Sequence, residues 1–526
     1  MKLTVVGSFG RRKRSVSVYD IPGRLGLRVI PVQTLLLGVW AAVAATWVAV
    51  VGLRSPHAFA YDAAPVLLAP LALWLFLSER YETTLAVLLL YLCLLDGVVK
   101  LASGSSIATL GRDALLYAIT IGAVLRTILR RTPLKVPPFA GFVIAWVAVC
   151  AMQLANPADT SLTHAVASLR QHLEFVPLFF FGYFVLRSQR RLAGLLLLLL
   201  VAAAANGVVD LIQTGLSPAQ LASWGPGYAG LEGGTGTEVA RVFVNAAGQA
   251  QVRPPGLGGE DGFGGLVGLI ALPGAIALLS SARRSAKLGW LLIPATILTI
   301  VGIVTSQTRL DIVGGVIALV AFLALTLRSR RGLTALLLTT VVGLTGYVIV
   351  SDFVSSSASR YSTIAPSKVL GTAVTARKGT LSLIPKYIAE YPLGAGLGSV
   401  GPAAGSSIGG TTVGRGLNGE SEITFLLVET GIPGLLVMLA FTIATIKAGL
   451  ALRRVAHPAL QRCLMALTAV LISLLAAWLI GPVTADSPSS PFIWLSGGCL
   501  AYWYGELRAG HLRVRPRLVG RALALR

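Results

Sequence analysis

Long uninterrupted apolar runs recur along nearly the whole chain, and short segments between them carry most of the charged residues. A continuous apolar run of about 20 residues predicts a membrane-spanning helix, whereas a membrane barrel would show alternation in shorter segments. We predict about fourteen spans, with about twelve as the lower count because the second, sixth and last are short. The predicted spans are 30–53, 63–77, 83–101, 114–129, 138–155, 174–187, 193–213, 263–281, 289–308, 310–327, 332–350, 422–446, 463–482 and 491–506.

The composition also predicts a polytopic helical membrane protein. Of the 526 residues, 55% are hydrophobic and only 12% are charged, and the mean hydropathy is +0.78. Every backbone polar group in a bilayer must be satisfied internally, and continuous apolar runs do this as helices. We therefore expect an all-α transmembrane helical bundle that forms a single domain over 29–506, between a flexible tail at 1–28 and a basic tail at 507–526.

The net charge of +23 indicates topology rather than nucleic-acid binding. Basic clusters occupy alternate short loops, and the intervening short loops are poorer in Lys and Arg. Because such clusters stay on the cytoplasmic side, both termini are predicted to be cytoplasmic. The clusters lie at 11–14, 130–135, 187–191, 283–287, 328–331, 453–454 and after residue 508.

Two long connections, at about 214–262 and 351–421, fall on the outer face under this topology. Connections of this length are usually functional or disordered. In the second, one face of a short helix that lies on the membrane is indicated by the spacing of Leu381, Ile384, Ile388 and Tyr391. Both loops are expected to fold back over the membrane domain.

Four arginines are predicted to lie at the outer face, where positive charge is disfavoured. A guanidinium group offers a rigid fork that matches phosphate oxygens, so converging arginines suit a lipid-linked diphosphate. The alternative is that each arginine pairs with a nearby acid. The arginines are Arg170, Arg253, Arg309 and Arg360, and the respective acids are Glu174, Asp261, Asp311 and Asp352.

A glycine-rich loop with Arg415 leads into the predicted span at 422, and it brings Glu420 and Glu422 to the helix start. Residues two apart on a helix point in different directions, so only one of these carboxylates need face a cavity. Alternatively, each only stabilises the helix dipole. Glu429 lies deeper in the apolar helix, where an acid either serves a site or pairs with a neighbour or the backbone.

Several kinds of site are excluded by the absence of their motifs. The chain has no P-loop, Rossmann glycine pattern, HExxH or nucleophile-elbow serine, and no CxxC pair that would suggest a zinc site. None of the five histidines lies in either long loop, so a histidine-based site built in those loops is excluded. Neither a metal nor a cofactor is predicted.

Four stretches carry a family resemblance. These are the glycine-rich run 393–398 after Tyr391-Pro392, the acid-glycine run 429–436, the segment 305–309, and Arg253 before a glycine-rich turn. They resemble segments of the O-antigen ligase and polymerase family, integral-membrane glycosyltransferases that act on undecaprenyl-diphosphate sugars. The topology resembles that family over most of the chain. The resemblance implies a GT-C-like architecture in the bacterial cytoplasmic membrane, with the active site at the outer face.

The spacing within these stretches distinguishes branches of the family. Polymerases of the family carry an arginine eleven positions before a glycine, as do Arg253 and Arg360 here, whereas ligases carry a histidine eleven positions before the glycine that corresponds to Gly431. Here that position is Glu420. The chain thereby resembles exopolysaccharide polymerases more than ligases, and the resemblance implies that Glu420 is the catalytic base.

The expected function is polymerisation or ligation of polyprenyl-diphosphate-linked glycans by inverting, metal-independent transfer, with polymerase preferred. The acceptor would be another lipid-linked glycan or a surface acceptor. Arg170, Arg253, Arg309 and Arg360 would bind the donor diphosphate, and Glu422, Glu429 and Arg415 would support the site. A flippase for the same lipids is the alternative, but the sequence lacks the two matched halves expected of one. A peptidoglycan-type polymerase would need a reactive aspartate in the last long loop, where Asp352 is the only candidate.

Overall fold

The computed structural model describes residues 68, 70–103, 107–131, 136–158, 161–233, 242–244, 250–260, 262–282, 286–327, 379–401 and 417–514. Within these ranges the regular structure is helical apart from one short hairpin. In chain order the elements are α1 Tyr81–Leu94, α2 Asp96–Ser103, α3 Ile107–Leu129, α4 Ala140–Gln153, α5 Leu162–Leu173, α6 Pro177–Val185, α7 Gln189–Thr214, α8 Pro218–Ala222, α9 Pro226–Gly233, β1 Val242–Val244, β2 Ala250–Val252, α10 Phe263–Ala282, α11 Ala286–Thr305, α12 Arg309–Thr326, α13 Ile384–Glu390, α14 Glu422–Leu452, α15 Pro458–Ala477 and α16 Ser489–Arg508.

Five helices of the described part are long and apolar enough to cross a membrane, namely α7, α10, α12, α14 and α15. The count becomes six if α1 and α2, which are bent by 42° at their junction, form one broken span. This composition is that of a helical membrane protein.

Most other predicted spans in the described ranges also coincide with helices, but these helices are shorter or more polar. The span predicted at 174–187 is α6, with only nine residues, and the span predicted at 138–155 is α4, with fourteen. Helix α3 is long enough but carries charged side chains in its second turn and near its end. The spans predicted at 30–53 and 332–350 lie outside the described residues.

Helix α10 packs against α7, α11, α12 and α15, and α14 packs against α4, α13, α15 and α16. Small residues allow the closest of these contacts. A methyl group added at Gly207 of α7 would lie 2.1 Å from the carbonyl oxygen of Leu298 in α11. Such small residues let helix backbones approach closely in membrane proteins.

The first long loop has structure of its own and folds back onto the bundle, as expected. It contains α8, α9 and the antiparallel hairpin β1–β2, in which Val242 pairs with Val252. The segment after β2 then returns to α7. There Gln213 donates to the carbonyl of Gly256 at 3.0 Å and accepts from its N–H at 2.8 Å.

The short helix expected in the second long loop is present as α13, but a different residue anchors it. Tyr387 is buried against the protein, whereas Ile388, on the face predicted to lie on the membrane, is 41% exposed. The hydroxyl oxygen of Tyr387 accepts a hydrogen bond from the N–H of Asn418 at 2.8 Å. Helix α13 is thereby fixed to the segment that leads into α14.

Helix α14 is broken at Gly431, where the sequence predicted one continuous span. Gly431 has φ 68° and ψ −171°, a backbone conformation that glycine adopts without strain. The loop before α14 bridges the break. Ala395 donates its N–H to the carbonyl of Val428 at 2.6 Å, and Ile432 donates to the carbonyl of Pro392 at 2.9 Å. Backbone groups freed by the break are therefore satisfied inside the protein, as an apolar environment requires.

Candidate functional site

The two carboxylates at the start of α14, those of Glu420 and Glu422, lie in different environments. Ser421 is the N-cap, and its side chain and that of Thr424 form a reciprocal capping box. Glu420, just before the cap, is exposed, whereas Glu422, just after it, is fully buried. The prediction that the two side chains point in different directions is confirmed.

The buried carboxylate of Glu422 is held by one residue of the connection between α15 and α16. Thr484 donates its N–H to Oε2 at 2.9 Å and its hydroxyl to Oε1. The backbone N–H of Glu422 also donates to the carbonyl of Trp478 at 3.0 Å. Glu422 therefore fixes the start of α14 to the end of α15.

Glu420 has a more open setting. Its backbone N–H donates to the side chain of Asn418 at 2.9 Å, and its Oε2 lies 3.5 Å from the hydroxyl of Thr380. Because Ser421 caps the helix, Glu420 is not needed as the capping residue. Its carboxylate lies between the segment before α13 and the mouth of α14.

The buried Glu429 connects two of the sequence stretches that carried the family resemblance. Its Oε1 accepts hydrogen bonds from the N–H groups of Gly398 at 3.0 Å and Val400 at 3.4 Å. Its Oε2 accepts from the hydroxyl of Ser168 and lies 2.7 Å from Nε2 of His172. Glu429 thereby joins the glycine-rich loop to α5 and α14.

His172 is a site residue that the sequence analysis did not single out. It is buried, its ring lies 5.4 Å from that of Trp146 and 5.2 Å from that of Phe425, and its Nδ1 has no hydrogen-bond partner among the described residues. It contacts Glu429 across 257 positions of sequence. Its place within an amphipathic stretch was the only local signal.

Arg170 lies in a buried ionic cluster rather than alone. It pairs with Asp113 at 3.1 Å, and Arg112 contacts Asp96 at 3.4 Å, Asp113 at 3.5 Å and Glu174 at 2.9 Å. The acid expected to pair with Arg170 was Glu174, which instead pairs with Arg112. Two guanidinium groups thus share three carboxylates.

Arg253 and Arg309 lie on adjoining segments. Pro254, next to Arg253, accepts a hydrogen bond from the N–H of Gly262 at 3.1 Å. A methyl group added at Gly262 would lie 2.2 Å from the hydroxyl oxygen of Thr308, which precedes Arg309. Arg253 is half-buried and Arg309 is exposed. The fold therefore places the two arginine-bearing segments at the same end of the bundle.

Further charged groups gather where the loop after β2 meets the connection between α15 and α16. Burial raises the pKa of Asp486 well above its usual range, the negative charges of Glu260 and Glu422 raise it further, and Lys100 opposes them. Lys100 also runs alongside Gly259. Asp486 was not singled out from the sequence, and it links the loop after Arg253 electrostatically to the buried acid of α14.

Two predicted site residues, Arg360 and Arg415, lie outside the described residues. Over the ranges that the structure does describe, no group of three or more His, Cys, Asp or Glu side chains is arranged to hold a metal ion.

Comparison with protein-family models gives no match to this chain, and comparison with curated proteins gives none either.

Proposed function

We propose that the protein is a membrane glycosyltransferase that uses polyprenyl-diphosphate-linked glycans as donors, with polymerisation preferred over ligation. The observation that carries this proposal is the divergence of the two acids at the start of α14. Glu422 is buried and bound by Thr484, Ser421 caps the helix, and Glu420 is left exposed. The carboxylate of Glu420 is exposed next to the start of an apolar helix and does not cap that helix. It is therefore suited to act as a general base.

The chemistry then follows from the side chains. Glu420 removes the proton from the acceptor hydroxyl as that oxygen attacks the anomeric carbon. The bond from the anomeric carbon to the diphosphate oxygen breaks, and the configuration inverts. Arg253 and Arg309 stabilise the negative charge on the departing diphosphate, for which one lost donor typically costs about 10²–10³ in rate. A positioned base contributes about 10²–10⁴. Arg170 and Arg360 would complete the diphosphate site.

The break in α14 supports the enzyme and the flippase alike, since discontinuous helices line sites in many transporters. We prefer the enzyme because the loop 392–395 closes the break with backbone hydrogen bonds, which ties a long loop to the span. A flippase would bind the same diphosphate without chemistry.

Purified protein in liposomes with a polyprenyl-diphosphate oligosaccharide distinguishes these functions. A ladder of longer lipid-linked glycans indicates a polymerase. Transfer only to an added lipid acceptor indicates a ligase. Movement of unchanged donor across the bilayer, with no new glycosidic bond, would overturn the enzyme proposal.

The proposed topology has about fourteen spans, both termini in the cytoplasm and Glu420 at the outer face of the bacterial cytoplasmic membrane. Cysteine labelling tests it, because all four native cysteines are buried. Ser382→Cys and Arg513→Cys place thiols at exposed positions near Glu420 and after α16. A membrane-impermeant reagent should label intact cells only at Ser382→Cys, and labelling of Arg513→Cys instead would reverse the topology.

A further inference from the structure

Two carboxylates of the membrane helices are buried with few polar partners among the described residues, and the hydroxyl of Ser306 hydrogen-bonds to one of them, Asp311. Asp210 of α7 is 0% exposed and Asp311 of α12 is 1% exposed. Both side-chain oxygens of Asp210 and Oδ2 of Asp311 have no hydrogen-bond partner among the described residues. No Lys or Arg within those ranges forms an ion pair with either acid. These groups play no part in the proposed transfer reaction.

Both carboxylates lie against the first turn of α10, where Gly264 and Gly265 leave room for them. A methyl group added at Gly264 would lie 2.0 Å from Asp210 Oδ2, and one added at Gly265 would lie 2.4 Å from Asp311 Oδ2. The charge of Asp311 acts on Asp210. The carboxylates therefore lie against consecutive residues of one helix.

The surroundings supply oxygen and amide groups but little charge. Gln307 is 1% exposed, and its amide oxygen and nitrogen have no partner in the described part of the chain. Gln307 lies in the turn that joins α11 to α12, four residues before Asp311, and its backbone has a φ of 55°. Neutral polar side chains lie against the same glycine-rich segment, namely Asn206 and Gln213 of α7, Ser306 just after α11 and Thr308 at the α12 cap. Arg253 and the exposed Arg309 are on the adjoining segments.

Two buried carboxylates that form no ion pair cannot both stay ionised. An unpaired buried charge costs at least several kcal/mol, and a neighbouring like charge adds to that cost. A proton, or a sodium ion bound by carboxylate and amide oxygens, removes the charge. Hard monovalent and divalent cations prefer oxygen ligands of this kind.

We propose that Asp210 and Asp311 form a monovalent-cation site, which holds a proton or a sodium ion at the first turn of α10 with Gln307 in the adjoining turn. The site lies directly behind the segments that carry Arg253 and Arg309. It rests on the burial of the two acids and on their three unpartnered oxygens, so it stands whether the protein is a transferase or a flippase.

The test uses the full-length protein in nanodiscs. If sodium is bound, Tm should rise with NaCl but not with KCl or choline chloride at constant ionic strength. If a proton is held, Tm should be insensitive to sodium, and the infrared spectrum should show a protonated carboxylic acid at neutral pH. The sodium response should disappear, or the infrared band should lose the intensity that the site contributes, in both Asp210→Asn and Asp311→Asn.

Asparagine keeps the shape and removes the buried charge, so both variants should remain folded with Tm equal to or above that of the wild type. Glu390→Gln, at a half-exposed acid on α13, is the matched control and should retain every response. The wild-type measurements test the proposal even if a variant does not fold. A wild type with neither a sodium-specific Tm rise nor a protonated carboxyl band would overturn the proposal, as would either signal persisting unchanged in both asparagine variants.

Discussion

The carboxylate of Glu429 lies 2.7 Å from Nε2 of His172, and both side chains are completely buried. The same carboxylate accepts hydrogen bonds from two N–H groups of the glycine-rich loop, so one acid joins α5, α14 and that loop. Each partner therefore depends on the other for a satisfied polar environment.

Replacing Glu429 by alanine should destabilise the fold more than any change at an exposed acid. Removing one partner of a buried pair costs about 3–5 kcal/mol, because the other partner is left uncompensated. Tm in detergent and the amount of protein in the membrane measure the loss. His172→Ala should also destabilise, and the double variant should cost less than the sum of the two. Strict additivity would contradict the coupling.

Glu420→Gln and Glu422→Gln should have different effects. Glutamine at 420 preserves size but cannot accept the proton, so turnover should fall by about 10²–10⁴ with Tm and donor binding unchanged. Glutamine at 422 weakens two hydrogen bonds to a charged group, each worth about 1.5–3 kcal/mol, so Tm should fall while turnover of the folded fraction changes little.

Glu420→His should recover part of the activity, because imidazole is a competent base near neutral pH. Equal, small effects of Glu420→Gln and Glu422→Gln on the turnover of purified protein would rule out Glu420 as the base.

The arginines should separate into two groups. Arg253→Lys keeps the charge but loses the planar fork, so turnover should fall strongly at normal membrane levels, and Arg309→Ala should do the same. Arg170→Ala removes the 3.1 Å contact with Asp113. It should therefore lower Tm, in addition to any effect that it has on turnover. Unchanged turnover in both Arg253→Lys and Arg309→Ala would refute the diphosphate site.

Gly431→Ala should disrupt the closure of the α14 break. The new methyl group would lie 2.4 Å from the carbonyl carbon of Leu393, in addition to the strain of a positive φ. Gly510→Ala is a matched control, since Gly510 has φ 73° but no atom within 4 Å of the added methyl group. The control should lose only about 1–2 kcal/mol. A Tm as high in Gly431→Ala as in Gly510→Ala would show that the loop contact is unimportant.

Stability should fall as pH rises because of Asp486. Its pKa is raised in the folded protein by burial and by Glu260 and Glu422, so the folded state keeps a proton that the unfolded chain releases near pH ~3.9. The stabilisation is complete below that value and is lost as pH rises through the folded pKa. Tm measured across this range should fall less steeply in Asp486→Asn. An identical slope in wild type and variant would contradict the assignment.

The helical class and the positions of most described helices follow from the amino-acid sequence alone. Hydropathy is a local property, so α7, α10, α12 and α15 could be located from their own residues. The sequence predicted that Glu420 and Glu422 diverge, although the cause is the N-cap at Ser421, which leaves Glu420 outside the helix. The short helix α13 followed from its spacing. The sequence did not reveal α5 or the structure within the first long loop, where polar and apolar residues mix without a long apolar run.

Which distant groups come into contact depends on how the helices and loops pack in space. Gly431-Ile-Pro-Gly contains residues that permit a break, but the break exists because Pro392 and Ala395 satisfy its backbone groups from another segment. Likewise, Glu174 and Arg170 are neighbours in sequence, yet Glu174 pairs with Arg112 because α3 and α5 bring those side chains together. Pairing energies depend on distance and burial in space, and neither is set by local sequence.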